Sequence, residues 1–112
     1  MWSRLANPYL FMGFSRYAIP LFYAVGVPVA LWALYQGLWV VPPDMMQGGD
    51  IMRGMFIHVA SAWLCLGLYS GLAVSSFIWF IWRHEVADVA ARAIAPVGAV
   101  VTALCLLTGA IW

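Results

Sequence analysis

The chain has 112 residues, of which 66% are hydrophobic and 8% charged, with a formal net charge of +1. Soluble domains average roughly 45–50% apolar and about 25% charged residues, so a water-soluble globular enzyme, a nucleic-acid binder and a disordered tail are all excluded. Mean hydropathy is +0.96, and the charges are clustered. No Asp, Glu, Lys or Arg occurs in the 27 residues between Arg16 and Asp44, the 29 between Arg53 and Arg83, or the 20 after Arg92. A helix crossing a bilayer needs roughly 20 apolar residues. The sequence therefore predicts an all-α, polytopic membrane protein with three transmembrane helices.

In chain order, residues 1–17 carry Arg4 and Arg16 and read as a cytoplasmic or interfacial segment. The apolar run that follows is too long for a signal-peptide core of roughly 7–15 residues, so it reads as a retained span. Asn7-Pro8 has the form of a helix start, with Asn as cap and Pro in the first turn. The apolar and aromatic stretch Tyr9–Tyr17 is expected to lie at the membrane surface. Span one covers 18–41; Pro20, Gly26 and Pro28 predict a kink, and Pro42-Pro43 ends it. Residues 42–53 form a polar, turn-rich outer loop. Span two covers 54–82 and closes on Trp79 and Trp82, a pairing typical of the membrane interface. Residues 83–92 are expected as a cytoplasmic loop, and span three covers 93–112 with Pro96 in its first turn. Arginines concentrate before span one and between spans two and three, which predicts the N-terminus inside and the end of span three outside. An odd number of spans ending on an aromatic residue reads as a chain cut short.

His58 is the candidate functional residue: it sits about one turn into span two near the outer face, and an ionisable side chain within a span is a functional hypothesis by default, although less costly near the interface. At 100° per residue, Ser61, Cys65, Tyr69 and Ser76 fall within about 60° of it, forming one semi-polar stripe. The opposite side carries Gly67-x-x-x-Gly71, a small-residue pattern that predicts a separate, tight packing face. Two readings of His58 stand side by side: a histidine hydrogen-bonded within a helix bundle, or a neutral imidazole that ligates haem iron or another metal. Met52, Met55 and Trp63 are candidates for an apolar wall around a porphyrin. His84 cannot share a metal with His58, since 26 helical residues span roughly 39 Å; it belongs to the charged stretch where Asp88 and Arg92 stand at i, i+4. Cys65 and Cys105 sit in no CxxC or CxxCH setting and read as packing residues. Gly98, Thr102, Cys105 and Gly109 line one face of span three. No nucleophile–base pair, phosphate loop or carboxylate pair is present, which predicts a non-enzymatic protein.

The stretch Val40-Val-Pro-Pro-Asp-Met-Met-Gln-Gly-Gly-Asp-Ile-Met-Arg-Gly-Met-Phe-Ile-His-Val-Ala-Ser-Ala-Trp63 resembles the first outer loop and second span of the CcmC family, haem exporter protein C. Trp82-Arg-His-Glu-Val-Ala-Asp-Val-Ala-Ala-Arg92 and Leu107-Thr-Gly-Ala-Ile-Trp112 extend the resemblance to essentially the whole chain. The resemblance implies the first half of a six-span bundle of the bacterial inner membrane, acting in c-type cytochrome biogenesis. It implies that haem b is held transiently and non-covalently at the periplasmic face and delivered to the haem chaperone CcmE, alongside CcmA, CcmB and CcmD. In that family two outer-face histidines are axial ligands, and His58 stands at the first of those positions. The Trp-rich WWD loop and the second histidine would follow residue 112. A different class of function is the alternative: a three-span scaffold that assembles with other subunits and binds no cofactor.

Overall fold

The computed structural model describes residues 7–112. The expected cytoplasmic position of Arg4 lies outside the described residues. The fold is helical almost throughout: α1 (Pro8–Tyr35), α2 (Gly54–Trp82) and α3 (Glu85–Ile111). Among the described residues, β-type pairing is confined to an isolated bridge between Asp44 and Gly49. With the short turns that extend α1 and precede α2, the three apolar helices reach 33, 33 and 27 residues, each long enough to cross a membrane.

α1 starts where the sequence signals it. Asn7 is in the extended conformation and its Oδ1 accepts from the Tyr9 amide at 3.0 Å, with Pro8 in the first turn. The helix then runs unbroken through Tyr17 and Ala18, so the expected surface segment and the first span form one continuous helix. It ends in a wider π turn, Gln36–Val40, after which Val41 is extended (φ −65°, ψ 125°). The proline that follows disfavours helical backbone at Val41, and Val41 N–H still reaches the Gln36 carbonyl at 3.0 Å.

The outer connection is built around Asp44. Its carboxylate accepts from the Met46 amide at 2.9 Å, and its backbone carbonyl accepts from Gly49 N–H at 2.8 Å. Gly48 and Gly49 both have positive φ (90° and 66°), which side-chain-bearing residues rarely adopt. Met52 is buried beneath this loop and its sulfur faces the Asp44 amide. Arg53 then ties the loop to α1: its guanidinium donates to the carbonyls of Gly37 and Leu38, which the π turn leaves free, and pairs with Asp50.

α2 and α3 form an antiparallel hairpin and make nearly all the interhelical contact. The link is only Arg83-His84. Arg83 adopts left-handed backbone (φ 51°), donates its amide to the Trp79 carbonyl at 2.8 Å, and lays its guanidinium 4.8 Å from the Trp79 ring centre. The stretch 83–92, expected as a loop, is thus helical from Glu85 onward. Glu85 and Asp88 in the first turn offset the helix dipole, and Asp88 meets Arg92 at 2.9 Å.

The interior is inverted relative to a soluble domain. Among the described residues the buried hydrophobics are Met52 and Ala87, and the buried polar residue is Ser61. Aromatic and aliphatic side chains point outward along all three helices; Phe22, Trp63, Val100 and Leu106 are each more than 60% exposed. So much contiguous apolar surface suits lipid rather than water.

Candidate functional site

The site follows from the register of the hairpin. Both helices rise about 1.5 Å per residue away from a two-residue link, so residues at equal sequence distance from it lie at equal height. His58 accordingly meets Gly109, and Cys65 meets Thr102; each pair of numbers adds to 167. This brings the start of α2 and the end of α3 together, with Trp112 against Gly54 and the His58 ring.

His58 is half-buried in the seam. Its Nδ1 lies 3.0 Å from the Cys105 carbonyl oxygen. A carbonyl only accepts, so Nδ1 carries the proton and donates. The neutral form of a ring so bonded carries its lone pair on Nε2, and no hydrogen bond is made by Nε2 among the described residues. The Thr108 hydroxyl lies 3.4 Å from Nδ1 and has two carbonyl acceptors, Leu104 at 2.8 Å and Cys105 at 3.2 Å. Below the ring, Ser61 donates to the His58 carbonyl at 2.9 Å. Above it, the Trp112 ring stands 6.2 Å away, centre to centre, tilted by 43°.

Gly109 makes this approach possible. A Cβ at that position would stand 2.7 Å from His58 Cε1, 3.1 Å from Nδ1 and 3.6 Å from Nε2. Glycine inside a helix costs about 1 kcal/mol relative to alanine; here the imidazole occupies the space it leaves.

The semi-polar stripe of α2 is the face that packs on α3. Two turns below His58, Thr102 donates to the Gly98 carbonyl at 2.7 Å, and its hydroxyl oxygen lies 3.2 Å from Cys65 Sγ and 3.4 Å from the Tyr69 hydroxyl. The expected division into a tight glycine face and a separate polar face does not hold within this chain. A Cβ on Gly67 would meet nothing within 4 Å, while Gly71 touches Ile94. Polar groups are drawn into the seam because hydrocarbon offers them no hydrogen bonds.

Several sequence-predicted neighbours lie elsewhere. Met52 faces the Asp44 amide and Trp63 is 73% exposed. His84 is at the far end of the hairpin, as the N-cap of α3. Cys65 and Cys105 are both free thiols on the seam, one beside Thr102 and the other 3.9 Å from His58 Nδ1. Among the described residues no group of three His, Cys, Asp or Glu side chains is placed to hold a bare metal ion. What the site offers is a single oriented imidazole nitrogen at an apolar, aromatic helix end, suited to one axial position on a metal already held by a macrocycle.

Sequence reasoning missed Cys105, Thr108, Gly109 and Trp112 as partners of His58. The signal was the length of the link, since a two-residue turn fixes which heights meet.

The family model described as Heme exporter protein C matches residues 1–112. Proteins named Heme exporter protein C are similar along the chain: 41% identical in Bradyrhizobium diazoefficiens, over 96% of this chain and 40% of that protein, and 33% identical in Escherichia coli K12, over 100% and 46%. A Marchantia polymorpha protein, described as a putative cytochrome c biosynthesis ccmC-like mitochondrial protein, is 34% identical over 100% of this chain and 49% of its own length. The chain thus spans somewhat under half the length of these relatives. No solved structure matches.

Proposed function

This chain belongs to the haem exporter protein C family, and on that premise we propose that it handles haem at the outer face of the bacterial inner membrane in c-type cytochrome biogenesis. Haem is cargo here, held briefly and passed on, and the protein's part is ligation and orientation rather than bond-making. The observation that carries the reading is the His58–Cys105 hydrogen bond. It gives the Nδ1 proton an acceptor, so that in the neutral imidazole the lone pair stands on Nε2 and faces a ligand.

The surroundings fit a porphyrin. The ring faces Trp112 at the end of a helix pair whose outer surface is apolar. A b-type haem suits the site, because the sequence has no CxxCH for covalent attachment. His58 Nε2 would hold the haem iron. Arginines at the Arg83–Arg92 turn favour the cytoplasmic side for that end of the hairpin, which sets His58 at the periplasmic end. α1 with its π turn is about 50 Å long by helical rise, against a hydrocarbon thickness of about 30 Å, so its Tyr9–Tyr17 portion reaches into the cytoplasmic interface. Release to CcmE, with CcmA, CcmB and CcmD as associated subunits, completes the reading.

The test is the haem absorbance of the protein isolated from membranes. His58→Ala is expected to lose the bound-haem Soret band while the protein still accumulates and stays helical. An unchanged band in that variant would overturn the ligand assignment. Recovery of both forms with partner subunits and without haem would favour the scaffold alternative.

A further inference from the structure

We propose that Gly109 is a positioning residue which, with the Cys105 carbonyl, fixes His58 as its Nδ1–H tautomer and aims Nε2 at the haem iron; the last step rests on the function proposed above. Two independent features of α3 converge on the ring. The Cys105 carbonyl, 3.0 Å from Nδ1, selects which nitrogen carries the proton. The bare backbone at Gly109 lets the ring come close enough to make that bond, since a Cβ there would intrude to 2.7 Å of Cε1 and 3.1 Å of Nδ1. Of the three ring atoms that a Cβ would approach, Nε2 is the farthest, at 3.6 Å.

The arrangement has a directional consequence. Cys105 and Gly109 are one helical turn apart on one face of α3, so the bond and the gap it needs come from a single rigid element. The competing partners of Nδ1 are more distant: the Thr108 hydroxyl is 3.4 Å away and has the Leu104 and Cys105 carbonyls as acceptors at 2.8 and 3.2 Å, and Cys105 Sγ is 3.9 Å away. A methyl group at 109 would push the imidazole off the carbonyl before it parted the helices. The ring is the movable end of a side chain, and the seam is held separately at Thr102, Cys65 and Tyr69. Losing an outer hydrogen bond of this kind weakens metal binding by about 10–100-fold.

The test is nitrogen NMR of the protein with ¹⁵N-labelled histidine in lipid bilayers, with the His58 signals identified by their loss in His58→Ala. The wild type is expected to show protonated Nδ1 and unprotonated Nε2 at His58 without haem. In Gly109→Ala the Nδ1–H signal should give way to the other tautomer or a mixture, and haem retention should fall about tenfold. Gly67→Ala, which adds its methyl group to open space, should change neither. An unprotonated Nδ1 in the wild type, a reading that needs no variant to fold, would overturn the proposal, as would an unaltered tautomer in Gly109→Ala. If the tautomer responds as stated but His58→Ala keeps its haem, the seat stands and the ligand reading fails.

Discussion

Cys65 Sγ and Thr102 Oγ1 stand 3.2 Å apart in the middle of the α2–α3 seam, at the same register that brings His58 to Gly109. One contact therefore reports on the other, because the two helices meet through a two-residue link and cannot slide independently. Thr102→Cys is expected to form a disulfide with Cys65 under mild oxidation, read as the loss of both thiols to an alkylating reagent. Persistent labelling of both would place the helices in a different register and remove His58 from its seat.

The same contact holds the hairpin together. Thr102 bridges Cys65 and Tyr69 while donating to its own helix at Gly98. Interhelical hydrogen bonds between membrane helices contribute about 0.6 kcal/mol on average and up to about 1.7. Thr102→Val keeps the shape and removes the hydroxyl, so it should destabilise the hairpin by about 0.5–1.5 kcal/mol in a denaturation series in mixed micelles. A stability equal to the wild type would show that the seam is held by apolar packing alone.

Glycines should divide by what faces them. Gly67 opens onto nothing within 4 Å, so Gly67→Ala is expected to be neutral or to add up to about 1 kcal/mol from helix propensity. Gly37 lies against Phe56, where a Cβ would come within 2.9 Å of the ring, and Gly37→Ala should destabilise the joint between α1 and α2. Thermal midpoints of the two variants, measured side by side, should move in opposite directions or differ clearly. Equal effects would contradict the packing described here.

Arg53 should matter more than the ion pair it makes. Its partner Asp50 is 80% exposed at the side chain, and exposed pairs of this kind contribute about 0–1 kcal/mol. Its hydrogen bonds to the Gly37 and Leu38 carbonyls satisfy the end of α1, and charged donors of this type contribute about 1.5–3 kcal/mol each. Arg53→Gln is expected to speed amide exchange around Gln36–Val41, with Asp50→Asn close to the wild type. The reverse order would assign the anchoring to the ion pair.

Much of this architecture is legible in the sequence, because lipid enforces it. Charge-free runs locate the three helices, and Asn7-Pro8 and Pro42-Pro43 mark where α1 begins and where it cannot continue. The turn at Arg83-His84 was less legible. Positive charges at residues 83 and 92 suggest a loop between them, yet Glu85 and Asp88 stabilise a helix start, and the helix wins. The facing of α2 was ambiguous for a physical reason: glycine pairs and polar stripes both serve helix contacts in membranes, and only the partner shows which is used. Thr102, Cys105 and Gly109 on α3 supply that partner. Met52 and Arg53 read as loop residues, and their role under Asp44 and at the π turn depends on contacts that no local pattern encodes.

Substitution with chemical rescue tests most directly the proposed ligation of haem iron by His58 Nε2. His58→Gly removes the ring and leaves space beside Gly109 for free imidazole. This variant, isolated from membranes, is expected to lose the bound-haem Soret band and to regain it when imidazole is added. His58→Gly holding haem with the wild-type spectrum in the absence of imidazole would contradict that ligation.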